Sequence, residues 1–296
     1  MLQITRREFG ALAASALVAR PAFAQGGELI TRPIPSTGER MPVVGLGTSQ
    51  VFARDDAATR AAADKVIRTL SGGGGKLIDT ASVYEDSEVV IGKVVSAAGL
   101  RDRIFIATKL EEPDKAELER SLTRLETRKL DLLQLHNVRD PNQSLAQFRD
   151  WKAQGICRYV GITSTYHGDF GAVEAVLRRE KPDFVQIDYS IDDRTAEERI
   201  LPAAAAVKAA VLTALPFGRA RLFRAVRGKK VPDWAAGFAA SWAQFFLKFL
   251  IADERVTAVI PGTNDAAHMA DNLGAQRGRL PDPEQRKRMA AFVAAL

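Results

Sequence analysis

Residues 76–79 (KLID), 104–109 (IFIATK) and 131–136 (DLLQLH) are three short apolar runs, and each ends in a polar or charged side chain. Five further runs of this kind occupy residues 43–47, 159–163, 184–187, 211–215 and 256–261. They are largely apolar and show little alternation, which is typical of parallel strands buried on both faces. The sequence therefore predicts eight strands of a parallel sheet.

The stretches between these runs have helical periodicity. Leu118, Leu122 and Leu125, for example, recur at i, i+4 and i+7 and would form one apolar face. Eight strands, each followed by a helical stretch, predict an α/β fold of the (β/α)8 type, a TIM barrel. The competing doubly wound sheet normally carries a G-x-G-x-x-G turn, and the Gly45-Leu46-Gly47 segment lacks the third glycine.

Composition excludes several other classes of protein. The 296 residues are 46% hydrophobic and 26% charged, which excludes a disordered chain and suits one barrel of roughly 250 residues. The net charge of +6 is modest, and no motif that reads nucleic acid accompanies it, so we predict no nucleic-acid partner. A single cysteine, Cys157, excludes an intramolecular disulfide, and no metal-ligand cluster is recognisable. No apolar run approaches the ~20 residues of a membrane span, so we predict no stable membrane insertion.

Residues 1–24 have the pattern of an export signal. Arg6 and Arg7 precede Phe9, an apolar stretch covers residues 11–19, and small residues stand at Ala22 and Ala24. This order of a positive region, a short apolar region and an A-x-A site is that of a signal peptide. The adjacent arginines resemble a twin-arginine (Tat) signal. We expect cleavage after Ala24, periplasmic localisation, the Tat export machinery as a partner and a barrel domain over 25–296; the alternative is an amphipathic N-terminal helix.

Titratable side chains stand where strands of the predicted barrel end. Asp79 closes the second strand, Tyr84 lies in the loop after it, and Lys109 and His136 close the third and fourth strands. Active sites of barrels lie at this carboxyl end. A buried Asp and a buried Lys each need a partner, and pairing Asp79 with Lys109 would satisfy both. A cation beside Tyr84 would help its hydroxyl release a proton, as a general acid must. Each residue alone has a structural explanation, but together they indicate a catalytic site.

Segments 79–84 (DTASVY), 87–92 (SEVVIG), 107–109 (ATK) and 133–137 (LQLHN) resemble, in order and spacing, the signature of the aldo-keto reductase family. The likeness extends from residues 45–48 (GLGT) to Asn272. The chain resembles the bacterial members that carry a Tat signal. It implies a reduced nicotinamide dinucleotide across the barrel mouth, delivering hydride to the carbonyl of a small aldehyde or ketone. Tyr84 would protonate the oxygen, Lys109 held by Asp79 would tune Tyr84, and His136 would orient the carbonyl.

The resemblance also implies cofactor contacts, with three departures from the family pattern. Thr163 and Ser164 replace a Ser-Asn pair that holds the carboxamide. Ala214 replaces a stacking tyrosine, for which Phe217 is the candidate substitute. His268 replaces an arginine often found near the 2′-phosphate; family membership favours NADP, and NAD is possible. The implied cofactor residues are Thr48, Thr163, Ser164, Gln186, Phe217, Gly218, Arg219, Gly262, Thr263, Asn264, His268, Asp271 and Asn272.

A second function from another class stays open. The altered stacking and phosphate contacts would suit an exported sensor or accessory protein that binds the cofactor with little turnover. The complete set of four catalytic residues favours a reductase instead. Single-turnover oxidation of bound cofactor by carbonyl compounds separates the two. An unrelated barrel hydrolase or isomerase would need a metal cluster or a carboxylate pair at the mouth, and the sequence shows neither. We expect a monomer.

Overall fold

Parallel strands joined by helices make up most of the computed structural model, which describes residues 27–296. The strands of this part of the chain are β1 (Thr31–Pro33), β2 (Arg40–Pro42), β3 (Leu46–Gly47), β4 (Leu77–Asp79), β5 (Phe105–Leu110), β6 (Leu130–Leu135), β7 (Cys157–Ser164), β8 (Phe184–Asp188), β9 (Ala210–Ala214) and β10 (Ala258–Val259). The helices are α1 (Ala57–Gly72), α2 (Ser87–Ala97), α3 (Lys115–Arg124), α4 (Ala146–Ala153), α5 (Phe170–Glu180), α6 (Thr195–Glu198), α7 (Ile200–Val207), α8 (Arg221–Ala225), α9 (Trp242–Ile251), α10 (Ala266–Gly274) and α11 (Pro283–Ala294).

Strands β3 to β10 pair in sequence order, all parallel, and the first and last of them also meet. The Gly45 amide donates to the Val259 carbonyl at 2.9 Å, and the Val259 amide donates to the Val43 carbonyl at 2.9 Å. A Cβ atom on Gly47 would lie 2.7 Å from the Ile260 carbonyl oxygen, so only glycine permits this approach. The sheet is therefore closed, and the predicted (β/α)8 barrel is confirmed.

The strand bounds differ from the predicted ones by a few residues. Strand β5 runs one residue past Lys109, and β6 ends one residue before His136, which lies in the following loop. Helix α4 ends at Ala153, and Gly155 follows at φ +78°, the left-handed conformation that commonly terminates helices. None of these shifts moves the polar strand ends away from the barrel mouth.

Alternation along the strands separates an apolar floor from a polar mouth inside the barrel. Leu77 and Leu132 lie in one buried apolar cluster in the barrel interior. Residues two positions further along a strand point to the same side, so Asp79 and Gln134 also face inward, one layer nearer the carboxyl ends. The polar layer is thus held above a packed apolar floor.

The hairpin of β1 and β2 covers the opposite end of the barrel. Ile34 and Met41 are buried in the same interior cluster as Leu77. The Tyr159 hydroxyl, at the bottom of β7, donates to Glu39 at 2.7 Å. The sequence has no pattern that predicts this hairpin, because its strands have three residues each and contain proline without alternation.

Residues 27–296 contain no helix with the length and apolarity required to cross a bilayer. The predicted Tat signal peptide, residues 1–24, lies outside the described residues. The predicted barrel domain over 25–296 is described from Gly27 onward.

Candidate active site

A buried ion pair lies at the base of the barrel mouth. Lys109 Nζ donates to Asp79 Oδ2 at 2.8 Å and to the Thr80 carbonyl at 2.6 Å. The two side chains are only 1% and 3% exposed. Burial alone would lower the pKa of Lys109, but the attraction of Asp79 and Tyr84 outweighs it and raises that pKa, so the ammonium stays charged.

Two buried amides complete the environment of Asp79. Gln186 Nε2 donates to Asp79 Oδ2 at 3.2 Å, and Gln134 Nε2 lies 3.4 Å from Oδ1 and 3.0 Å from Gln186 Oε1. A Cβ on Gly161 would lie 2.9 Å from Gln134 Cγ, so the glycine leaves space for this amide. Burial raises the pKa of Asp79, while Lys109 and both amides favour the carboxylate. We take the pair as ionised, since neutralising one partner would leave the other as a buried charge without a partner.

Tyr84 stands above this ion pair. Lys109 Nζ lies 4.9 Å from the centroid of the tyrosine ring, and the His136 ring packs edge-on against it with centroids 5.9 Å apart. The backbone amide of Tyr84 donates to the Ala81 carbonyl at 3.1 Å, which fixes the turn that presents the ring. The four residues predicted from strand ends, Asp79, Tyr84, Lys109 and His136, therefore form one contiguous group.

His136 is almost buried, with a side chain 10% exposed. Burial and the positive charges of Lys109 and Arg139 lower its pKa to about 3. Nδ1 of the ring lies against Oε1 of Glu111. That carboxylate would favour a proton on His136, but Glu111 is 45% exposed, so burial and the two cations set the direction. The imidazole is thus neutral at neutral pH and can act only through its neutral tautomers.

A cavity of about 300 Å³ opens beside Tyr84. Asp79 and Tyr84 line it, and so do five of the implied cofactor residues: Thr48, Gln186, Phe217, Arg219 and Gly262. Ala214 also lines it and leaves room where a larger side chain would project. Phe217 and Phe223 form an aromatic wall, with ring centroids 4.7 Å apart. The cavity thus combines amide, hydroxyl, aromatic and guanidinium groups.

The loop after β9 holds Arg219 at the cavity rim in an unusual conformation. Leu215, Arg219 and Ala220 all have positive φ, at 52°, 51° and 64°. Non-glycine residues adopt this conformation rarely, and it is concentrated at functional sites. Arg221, just beyond, donates to Asp192 Oδ2 at 2.6 Å, and this ion pair ties the loop to the one after β8.

Thr163 and Ser164 lie at the end of β7 but do not line this cavity. Both are buried, at 2% and 0% exposed. Thr163 Oγ1 accepts the Asn137 amide at 3.1 Å, and Ser164 Oγ accepts the Tyr166 amide at 3.1 Å. Their hydroxyls are thus engaged by neighbouring loops, and their predicted contact with a carboxamide stays a prediction.

Residues 259–264, which the family resemblance assigns to the start of a phosphate segment, lead into α10, and a carboxylate already occupies the helix start. Asp265 Oδ1 accepts the amides of Ala267 at 2.6 Å and His268 at 3.3 Å. These hydrogen bonds lower the pKa of Asp265, so it carries a negative charge at neutral pH. A phosphate at this helix start would therefore have to compete with the Asp265 carboxylate for the backbone amides of Ala267 and His268.

The remaining implied contacts spread over α10, the segment before it and the loop after β9. Asn264 and His268 are exposed, whereas Thr263 and Asn272 are buried at 8% and 3% exposed. Asp271 Oδ1 accepts from Gln244 Nε2 at 2.8 Å. Gly218 is buried in the loop after β9 at φ +54°. None of these residues lines the cavity beside Tyr84.

Sequence reasoning missed Gln134, Phe223 and Glu111. Gln134 had a usable signal, because it stands two residues before His136 on a strand and must face the same side. Phe223 lies on the short helix α8 and Glu111 in the loop after β5, and only the folded chain shows what they approach. Within the described ranges, no group of three or more His, Cys, Asp and Glu side chains is arranged to hold a metal ion.

Comparison with known proteins agrees with this geometry. The model of the Aldo/keto reductase family matches residues 43–293. Methylglyoxal reductase YeaE of Escherichia coli is 28% identical over 256 residues, covering 82% of this chain and 88% of its own. Methylglyoxal reductase DkgA of Yersinia pestis is 35% identical over 135 residues, covering 42% and 46%.

Solved structures give the same assignment. An aldo-keto reductase from Klebsiella pneumoniae in complex with NADPH superposes with a TM-score of 0.76 at 25% identity, covering 90% of this chain and 95% of that one. The matched family model spans most of the chain and includes every residue of the site described above. The chain belongs to the aldo/keto reductase family.

Proposed function

We propose that this protein is an NADP(H)-dependent reductase of aldehydes or ketones, with Tyr84 as the general acid. The observation that carries the proposal is the contiguous group of Asp79, Lys109, Tyr84 and His136 at a cavity open to a substrate. Bound reduced nicotinamide supplies a hydride to the carbonyl carbon. The chain itself must then bind the carbonyl, orient its oxygen and provide one proton.

Tyr84 provides that proton in this mechanism. Its hydroxyl transfers the proton to the carbonyl oxygen as negative charge develops there. The charged ammonium of Lys109, 4.9 Å from the ring centroid, stabilises the tyrosinate left behind. Asp79 holds the ammonium in place through the ion pair, and the side-chain amides of Gln134 and Gln186 hold Asp79. In the reverse direction the tyrosinate would accept the proton of an alcohol.

The described residues fit the nicotinamide end of a dinucleotide. Gln186 and Thr48 offer hydrogen-bonding groups to a carboxamide, and the wall of Phe217 and Phe223 suits a flat ring. Arg219 at the rim offers charge to a phosphate. NADP(H) is favoured because the Klebsiella pneumoniae neighbours are NADPH and NADP complexes.

Replacing Asp265 with serine is expected to tighten NADPH binding by about two- to fivefold, with a smaller change for NADH. Serine still caps α10, but the negative charge near the proposed phosphate segment is gone. Titration of both cofactors against the two proteins checks this. Asp282→Ser is the matched control, because Asp282 caps α11 in the same way. Equal affinities in the Asp265→Ser variant and the wild type would show that no phosphate group binds at this helix start.

The proposed activity is tested by mixing the protein and NADPH, in stoichiometric amounts, with a panel of carbonyl compounds. The panel should include methylglyoxal, the substrate for which the Escherichia coli and Yersinia pestis relatives are named. Oxidation of the cofactor by one or more members supports the reductase. Tight cofactor binding without oxidation by any member would favour the sensor or accessory protein, for which the small Ala214 and the charged Asp265 are the supporting observations.

We further propose that the protein is exported through the Tat route as a folded barrel and cleaved after Ala24. The support is the order of Arg6-Arg7, the apolar stretch 11–19 and Ala22-Phe23-Ala24 in the sequence. N-terminal sequencing of the exported protein tests the cleavage site.

A further inference from the structure

A second carboxyl group reaches the reacting centre from the loop after β5. Glu111 is the first residue beyond β5, and its Oε1 atom contacts Nδ1 of His136. Among the described residues Nδ1 makes no hydrogen bond, and the Glu111 carboxyl is the charged group that contacts it. The Glu111 side chain is 45% exposed and that of His136 is 10% exposed. A carboxyl group at the edge of the mouth therefore faces one specific nitrogen of a nearly buried ring.

The surroundings of Glu111 favour its protonated form. Burial and the nearby carboxylates of Glu117, on α3, and Glu112, in the same loop, raise its pKa above the ordinary value. Arg139, from the loop after β6, acts in the opposite direction but is outweighed. The Glu111 amide also approaches Glu117 Oε1 at 3.4 Å, which keeps that carboxylate beside the loop.

The surroundings of His136 disfavour its charged form. The ring faces Lys109 and Arg139 and packs against Tyr84. A positive charge on the imidazole would be repelled by both of these cations. The pKa of the Glu111 carboxyl is thus raised, and the pKa of the His136 imidazole that it contacts is lowered. The proton between them belongs to the pair and not to either residue alone.

We propose that Glu111 is a positioning residue that selects the tautomer of His136 and thereby switches its Nε2 atom between hydrogen-bond donor and acceptor. This assignment rests on the proposed carbonyl reduction. Glu111 contacts Nδ1, so Nε2 is the ring nitrogen left for the substrate oxygen.

The proton count fixes the direction of the switch. With two protons on the pair, one lies between Glu111 and Nδ1 and the other is on Nε2, which then donates to the carbonyl oxygen. With one proton left, it lies on Nδ1 and donates to the Glu111 carboxylate, so Nε2 has only a lone pair. The first state supports carbonyl reduction, and the second accepts from an alcohol. Reduction should therefore fall as pH rises through the titration of the pair.

Glu111→Gln removes this titration with little change of shape. The neutral amide can donate to Nδ1 at every pH, so the Nε2–H tautomer stays available. We expect kcat for reduction by the wild type to fall by about tenfold or more across the titration, as for loss of one oxyanion donor. Glu111→Gln should stay within about twofold over the same range. Glu112→Gln, the matched control for charge, should keep the fall in kcat but shift it to lower pH, because one of the carboxylates that raise the pKa of Glu111 is then gone. Identical profiles for Glu111→Gln and wild type would overturn the proposal.

A measurement without turnover separates this proposal from the proposed function. The chain has three histidines, so ¹⁵N shifts of the labelled protein can be assigned to His136 with a His136→Gln variant. In the wild type, His136 should change from the Nε2–H to the Nδ1–H form as pH rises. In Glu111→Gln it should stay in the Nε2–H form. A wild-type ring with one tautomer throughout would contradict the proposal, whether or not any carbonyl is reduced.

Discussion

Replacing Tyr84 with phenylalanine is expected to lower kcat for carbonyl reduction by about 10²- to 10⁴-fold, the usual contribution of a general acid. The ring keeps its packing against His136 and its position above Lys109, so only the transferable proton is lost. The affinity for NADPH should change little. Steady-state kinetics with a carbonyl substrate, together with a cofactor titration, measure both quantities.

The matched control is Tyr166→Phe. Tyr166 is 68% exposed and follows β7, at the same end of the barrel, without contact to Lys109. It should keep wild-type kinetics. Near-normal turnover in the Tyr84→Phe variant would show that Tyr84 is not the general acid. It would also contradict the proposed role of Lys109 in stabilising a tyrosinate.

Replacing Lys109 with methionine is expected to lower the free energy of unfolding by about 3–5 kcal/mol, because Asp79 would keep a buried charge without its partner. The same variant should lose reduction, since no cation remains to stabilise the tyrosinate. Denaturant titration measures the stability, and the kinetic assay measures the activity. Lys115→Met is the control: Lys115 is 79% exposed and should change stability by less than about 0.5 kcal/mol.

Adding Asp79→Asn to Lys109→Met separates the two effects. The double variant removes both charges, so a large part of the lost stability should return while activity stays absent. A Lys109→Met single variant with wild-type stability would mean that the pair of Asp79 and Lys109 adds nothing to the free energy of unfolding, against this expectation.

The sequence was sufficient to predict the barrel and the grouping of the four residues that we propose as catalytic. Buried parallel strands are apolar throughout, so their ends are visible as the first polar residue, and barrel geometry brings those ends together. This is why the sequence predicts the pairing of Asp79 with Lys109, 30 positions away along the chain.

Other features depend on contacts that sequence patterns do not encode. Glu111 has the appearance of a solvated loop residue, and only the approach of the loop after β6 shows that it faces His136. The carboxylate of Asp265 caps the start of α10, beside residues that the family resemblance assigns to the cofactor. The β1–β2 hairpin is too short and too rich in proline to show periodicity.

The central claim, hydride transfer to a carbonyl assisted by Tyr84, is tested most directly with NADPH deuterated at the nicotinamide C4 position. The protein and labelled cofactor are mixed with a carbonyl compound from the panel, and the product alcohol is examined by mass spectrometry and NMR. The account predicts one deuterium on the carbinol carbon with wild-type protein and almost none with Tyr84→Phe in the same time. Cofactor bound by the wild type with no deuterium in any product alcohol would contradict it.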